Sequence, residues 1–116
     1  MSGERWVRID CDYLSNPKVL AAGRDARDLH LASILYVGQH ELDGLIPAQA
    51  VPQLVRALGV RPHVIEALTA AGLWVPNGGA TFELPGYLER NPSKETRERE
   101  RVRWRENKRR QRELND

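Results

Sequence analysis

The sequence has little of what small enzymes and secreted domains usually depend on. It contains one cysteine, one phenylalanine and three histidines in 116 residues. A single cysteine excludes an intrachain disulfide, and the scattered histidines do not have the spacing of a metal site. No phosphate-binding glycine loop or nucleophile elbow occurs, because Gly78 and Gly79 belong to a turn pattern. We therefore predict a protein that is not an enzyme and has no cofactor or bound metal.

Long apolar runs are also missing. The N-terminal stretch "MSGERWVRIDCDYL" carries charges where a signal peptide needs an apolar segment. No stretch is long and apolar enough to span a bilayer. The sequence thus predicts a cytoplasmic protein without a membrane partner.

Charge is present but unevenly distributed. Residues 1–92 hold 8 basic and 10 acidic side chains, whereas residues 93–116 hold 10 basic and 6 acidic ones. Within the second region, "RVRWRENKRRQR" (101–112) contains seven bases and one acid. A mildly acidic body with a concentrated basic end is typical of a protein with an interaction tail.

A short strand and a short helix are predicted at the start of the body. The β-prone run "WVRI" (6–9) precedes an Asp-rich turn and indicates a strand. Asn16, Pro17 and Gly23 then occupy the N-cap, first helical position and stop of a helix.

The next segment predicts the central buried helix. Asp25 is expected to cap it, with Asp28 in the place of a capping-box acid, and the helix runs to about His40. Its apolar face is too broad for a surface helix. The Asp-Gly pair at 43–44 is expected to end it.

The middle of the chain reads as a helix-turn-helix followed by a hairpin. "LIP" (45–47) is a short strand or extended link, and a helix starts near Ala50. A second helix covers 61–71, with Pro62 at its first position. "NGG" (77–79) predicts a tight hairpin because Asn-Gly supplies positive φ angles. The expected fold is mainly α with a small β-sheet, a winged helix-turn-helix.

The last part is predicted to be a basic arm. "PGYLERNPSKE" (85–95) reads as a linker, so we expect a domain at 1–90 and a basic helical or disordered tail at 91–116. Three tail pairs have helical ion-pair spacing: Glu95 with Arg99, Glu98 with Arg101, and Glu106 with Arg110. These acids cannot neutralise 101–112. If all seven bases met phosphates, the log–log salt slope of duplex binding would be about −6, at roughly −0.9 per phosphate.

Four stretches carry a resemblance to a known family. They are "WVRIDCDYLSNPKVL", "DGLIP", "ALGVRPHVIEALTAAGLW" and "YLERNPSKE…RERVRWRENKRR". From residue 6 to about residue 112 the chain resembles the N-terminal winged-helix domain of phage replisome organisers, the DnaD-like replication initiation proteins. The resemblance implies DNA binding in phage or prophage replication inside a bacterial host cell. It includes no second, helicase-contacting domain.

Within this interpretation the helix at 61–71 is the candidate recognition helix. Its outward positions are expected to include Arg61, His63, Glu66, Ala67 and Thr69, and the face is only weakly basic. Trp104 is expected either to stack on a base or to pack on the body. The predicted DNA-contacting residues are Arg56, Arg61, His63, Thr69, Arg101, Arg103, Trp104, Arg105, Lys108, Arg109, Arg110 and Arg112.

Several alternatives stay open. Duplex DNA is the expected partner before single-stranded DNA, with a replicative helicase or other replisome protein and a homodimer as further candidates. A transcriptional regulator or excisionase of the same fold would need stronger base readout than the alanine-rich helix offers. A protein-interaction module would bind a host or replisome protein without DNA contact.

Overall fold

The computed structural model describes residues 5–115, which are mainly helical and include a three-stranded antiparallel sheet. This confirms the expected class of a mainly α fold with a small sheet. In chain order the elements are α1 (Pro17–Ala22), α2 (Arg24–His40), β1 (Leu45–Pro47), α3 (Val51–Leu58), α4 (Val64–Ala70), β2 (Val75–Asn77), β3 (Thr81–Glu83), α5 (Tyr87–Arg90) and α6 (Lys94–Asn115).

Helix α1 follows its local signals. The Asn16 side chain accepts a 2.9 Å hydrogen bond from the backbone N–H of Lys18, which satisfies one free donor of the first turn. Pro17 is the first helical residue, and Gly23 with φ of 91° ends the helix. The prediction for this helix is confirmed.

Helix α2 is the central helix and has the predicted extent, from Arg24 to His40, but the residues that cap and end it are not the predicted ones. It begins at Arg24 with Gly23 as N-cap and no side-chain cap, so Asp25 lies inside the first turn and forms no capping box with Asp28. The positive φ of Gly23 lets the helix start one residue early. At the other end, Glu41 adopts a left-handed conformation (φ 52°) and ends the helix before the Asp-Gly turn.

The core forms around α2, which packs against α1, α3 and α4. Leu29 of α2, Leu68 of α4 and Ile46 of β1 are all fully buried. Trp74 is also fully buried, and its indole Nε1 donates a 3.1 Å hydrogen bond to Ser33 Oγ. A large indole can be buried here because its polar N–H has a partner.

Residues 6–9 do not form the predicted strand. This segment crosses the end of α2, where a β-carbon on Gly38 would collide with the Val7 side chain. The buried Asn91 side chain takes the place of a neighbouring strand: its Oδ1 accepts from Arg8 N at 2.6 Å, and its Nδ2 donates to Arg8 O at 3.3 Å. The Asn91 amide thus satisfies the backbone N–H and C=O of Arg8 in an extended segment that has no neighbouring strand.

The sheet has the order β1-β3-β2. Phe82 of the central strand lies opposite Ile46 of β1 and Pro76 of β2. The hairpin forms where predicted, but Gly78 (φ 68°) and Gly79 (φ 83°) supply the positive φ angles. Asn77 stays in β2, so the prediction for its backbone is wrong.

Two boundaries around the helix pair and the linker also differ. Ala50 precedes α3 as predicted, but α4 begins at Val64, and Pro62 lies in the preceding turn. Residues 85–95 are not merely a linker, because they contain α5 and the start of α6. Tyr87 and Asn91 in this segment are buried against the body.

Candidate nucleic-acid interface

Helix α6 is attached to the body through its first turn. Its Lys94 N–H donates a 2.7 Å hydrogen bond to the Asp43 carboxylate. Ser93 Oγ accepts from the N–H of Thr96 at 3.2 Å and acts as a capping side chain. Both contacts satisfy backbone donors at a helix N-terminus, where negative charge is stabilising.

The second attachment is an arginine under a tryptophan. Arg97 is only 7% exposed, and its guanidinium carbon lies 4.7 Å from the centre of the Trp6 ring. The Arg97 Nε also donates to the carbonyl of Pro92 at 3.3 Å. This cation–π contact joins the N-terminal segment to α6.

The third attachment is a carboxylate shared by both ends of the chain. Glu41, whose side chain is 6% exposed, accepts two hydrogen bonds from Arg101 at 2.5 and 3.1 Å. Arg5 approaches the same carboxylate at 3.5 Å. The Arg101 hydrogen bonds hold the pKa of Glu41 below its usual value. Arg101 also pairs with Glu98 at 2.6 Å, so this predicted DNA contact is engaged within the protein.

Beyond Arg101 the helix leaves the body. Every residue from 102 to 115 is exposed. A helix of 22 residues is about 33 Å long, and the molecule measures 60 × 29 × 25 Å. We call residues 102–115 the outer arm. The outer arm therefore projects as a cationic rod.

The remaining predicted tail residues lie on the outer arm. They are Arg103, Trp104, Arg105, Lys108, Arg109, Arg110 and Arg112. Trp104 is 46% exposed, with Lys108 Nζ 5.6 Å from its ring centre. Glu98–Arg101 is the one predicted ion pair that forms among the described residues. An unpredicted pair joins Arg109 to Glu113 at 3.9 Å.

The predicted residues of the helix pair form a different group. Arg56, Arg61 and His63 are exposed. Thr69 is partly buried, and its hydroxyl donates to the carbonyl of Glu66 at 3.0 Å, so it is a weak candidate for a base contact. Ala67 packs against the core, so the prediction that it faces outward is wrong.

The structure does not bring these two groups together. His63 lies in a shallow recess beside Arg24 and Asp25, at the first turn of α2. The outer arm instead begins next to Glu41, which binds Arg101 and directly follows the last residue of α2. A 17-residue helix is about 25 Å long, so His63 and the start of the outer arm lie near its opposite ends.

A cleft of about 160 Å³ between the N-terminal segment and α2 contains the other notable polar pair. The Tyr13 hydroxyl lies 2.6 Å from His30 Nδ1, and the two rings are stacked. Burial lowers the pKa of His30 to about 4 and raises the pKa of Tyr13 to about 12. Both groups are therefore neutral near pH 7. This suits a structural hydrogen bond better than acid–base chemistry.

No known protein family, curated protein or solved structure matches the chain. Within residues 5–115 no group of three or more His, Cys, Asp or Glu side chains could hold a metal ion. In the same residues, no helix is long and apolar enough to cross a membrane.

Sequence reasoning missed the residues that fix the arm. Trp6, Glu41 and Asp43 are remote from α6 in sequence but contact its first two turns. The one local signal was the pair of acids that follow α2 in "HELDG". Their pairing with basic residues in the arm depends on the tertiary fold.

Proposed function

We propose that the protein binds duplex DNA, with the outer arm providing most of the affinity. The observation that carries this proposal is the exposure of residues 103–112, which hold six bases and one acid on a projecting helix. Such a density of uncompensated positive charge is relieved by a polyanion. With Arg101 held by Glu41, six bases remain, and the expected salt slope is about −5.

We also propose that the body is a winged helix-turn-helix. The order α3, turn, α4 and hairpin, together with the pairing of β1 on the wing strand β3, supports this assignment. In this arrangement Arg61 and His63 contact DNA at the start of α4, and Arg56 contributes from α3. The resemblance to phage replisome organisers supports replication initiation as the biological setting.

A salt titration tests the proposal. The full chain and a chain ending at Val102 are compared by fluorescence anisotropy on a labelled random-sequence duplex. The shorter chain keeps Arg97, Arg101 and their partners, so its folding is preserved while the outer arm is removed. We expect the affinity of the full chain to fall steeply as the salt concentration rises. The shorter chain should lose most of the affinity of the full chain. Equal affinities, or no salt dependence, would contradict the proposal.

One observation favours a second function, binding of a protein partner. An apolar groove between α3, α4 and β3 is lined by Val51, Val55, Val60, Ile65 and Phe82 among others. Absence of duplex binding by the full chain would favour this interaction module over the DNA-binding protein.

A further inference from the structure

The side chains of the outer arm are sorted around the helix. Successive residues of an α-helix are separated by about 100°, so residues seven apart lie within about 20° of each other. The two acids, Glu106 and Glu113, are seven apart and share one side. Trp104 and Gln111 are also seven apart, and they lie about 160° from the acids. One side of the outer arm is therefore free of acidic residues.

Four of the six bases of the outer arm occupy the two flanks between these sides, whereas Lys108 lies beside Trp104 and Arg109 lies beside Glu113. Arg103 and Arg110 share one flank, and Arg105 and Arg112 share the other, since each pair is seven residues apart. The flanks are about 160° apart. A helix with side chains is about 10–12 Å across, close to the width of about 12 Å of the DNA major groove. In that groove each flank faces the phosphates of one strand.

The side without acids presents three exposed amide side chains, and two of them, Asn107 and Gln111, lie between the arginine flanks. Asn107 and Gln111 are four residues apart and are therefore neighbours on the helix surface. Asn and Gln are the side chains that pair bidentately with the N6 and N7 edge of adenine in the major groove. A helix that only neutralised phosphates would gain nothing from amides between its two arginine flanks.

We propose that the outer arm lies in the DNA major groove, with Asn107 and Gln111 reading base edges and the arginine flanks holding the two phosphate backbones. This inference rests on the proposed function and adds sequence readout to it. The outer arm of 14 residues is about 21 Å long, sufficient to cross the groove. Arg97 and Arg101 mark the side of α6 that faces the body. The reading side, centred between Asn107 and Gln111, is about 80° from it, so the body lies next to the bound duplex.

Selection from a pool of duplexes with a randomised core tests the inference. The full chain is compared with the double variant Asn107→Ala, Gln111→Ala, and with Gln53→Ala as a control that removes an exposed amide from α3. Alanine is the best helix former, so the double variant keeps its helix. We expect wild type and control to enrich adenine at defined positions. The double variant should lose that discrimination, on the order of ten-fold per position, with an unchanged salt slope.

The outcomes separate this inference from the proposed function. Steep salt-dependent binding with no base preference, or a preference that survives in the double variant, overturns the inference and leaves DNA binding in place. Absence of binding to any duplex overturns both. Double-stranded RNA serves as a competitor, because its deep, narrow major groove excludes side chains. Competition equal to that of duplex DNA also overturns groove insertion.

Discussion

The two longest helices of the molecule are stabilised in opposite ways. Helix α2 buries Leu29, Val37 and four further residues, whereas Arg97 is the one residue that the 22-residue α6 buries. Hydrophobic burial is insensitive to moderate salt, but ion pairs at a surface are screened. The body and the outer arm should therefore respond to different perturbations. We therefore expect the burial of α2 to determine the free energy of unfolding, and the ion pairs of Glu41 to determine the orientation of the outer arm.

The largest expected effect is on the free energy of unfolding when α2 loses a buried leucine. Leu29→Ala leaves a cavity in the core and should lower that free energy by about 2–5 kcal/mol. Leu114→Ala is the matched control, because this leucine of α6 is 85% exposed. It should change the free energy by less than about 0.5 kcal/mol. Urea denaturation of both variants makes the comparison, and similar losses would refute it.

The second effect is a loss of body stability in mild acid. His30 has a pKa of about 4 in the folded protein against an ordinary value of 6.5, because burial disfavours its cation. Its contribution is therefore fully present above pH 6.5 and is lost as the pH falls through about 4. The loss is roughly 3 kcal/mol at most.

Denaturation at several pH values measures this loss. His30→Gln should flatten the profile between pH 6.5 and 4, while His40→Gln, which changes an exposed histidine, should not. If the profile is unchanged in the His30 variant, another group causes the acid sensitivity. Because the Arg101 hydrogen bonds hold the pKa of Glu41 below its ordinary value, this carboxylate should stay charged to a lower pH than a free glutamate.

The third and smallest effect is local. Glu41→Gln removes the charge that Arg101 and Arg5 share, so α6 should lose its fixed direction while the core stays intact. We expect the amide hydrogens of residues 97–102 to exchange faster with solvent and those of α2 to be unchanged. Glu98→Gln is the control, because it removes the exposed partner of Arg101 and leaves the buried one. Equal acceleration in both variants would show that Glu41 has no special role.

The features that were predicted correctly from the sequence are those that depend on interactions between residues close together in the chain. The cap of α1 by Asn16 and the hairpin at Gly78–Gly79 depend on residues within a few positions of each other. The strand at 6–9 was wrong because its actual partner, Asn91, is more than 80 residues away. Propensity describes an extended segment but does not supply a neighbouring strand.

The candidate site was predictable in composition but not in geometry. The excess of bases at 101–112 can be counted directly, and the helix follows from its residue types. That Arg101 pairs with Glu41, and that His63 lies at the far end of α2, depends on tertiary contacts. Counting charges in the sequence therefore included Arg101 among the free cations, although it is paired within the protein. It also could not show that the helix pair and the outer arm lie apart.

The meeting of Arg5 and Arg101 at Glu41 has a practical consequence for protein production. Arg5 lies beside the foot of the arm, so an anionic purification tag fused ahead of it would compete with the proposed DNA ligand for the bases of the arm. A tag fused after Asn115 would instead extend from the far tip of α6. The choice of fusion end thus determines whether a binding assay reports on the protein or on its tag.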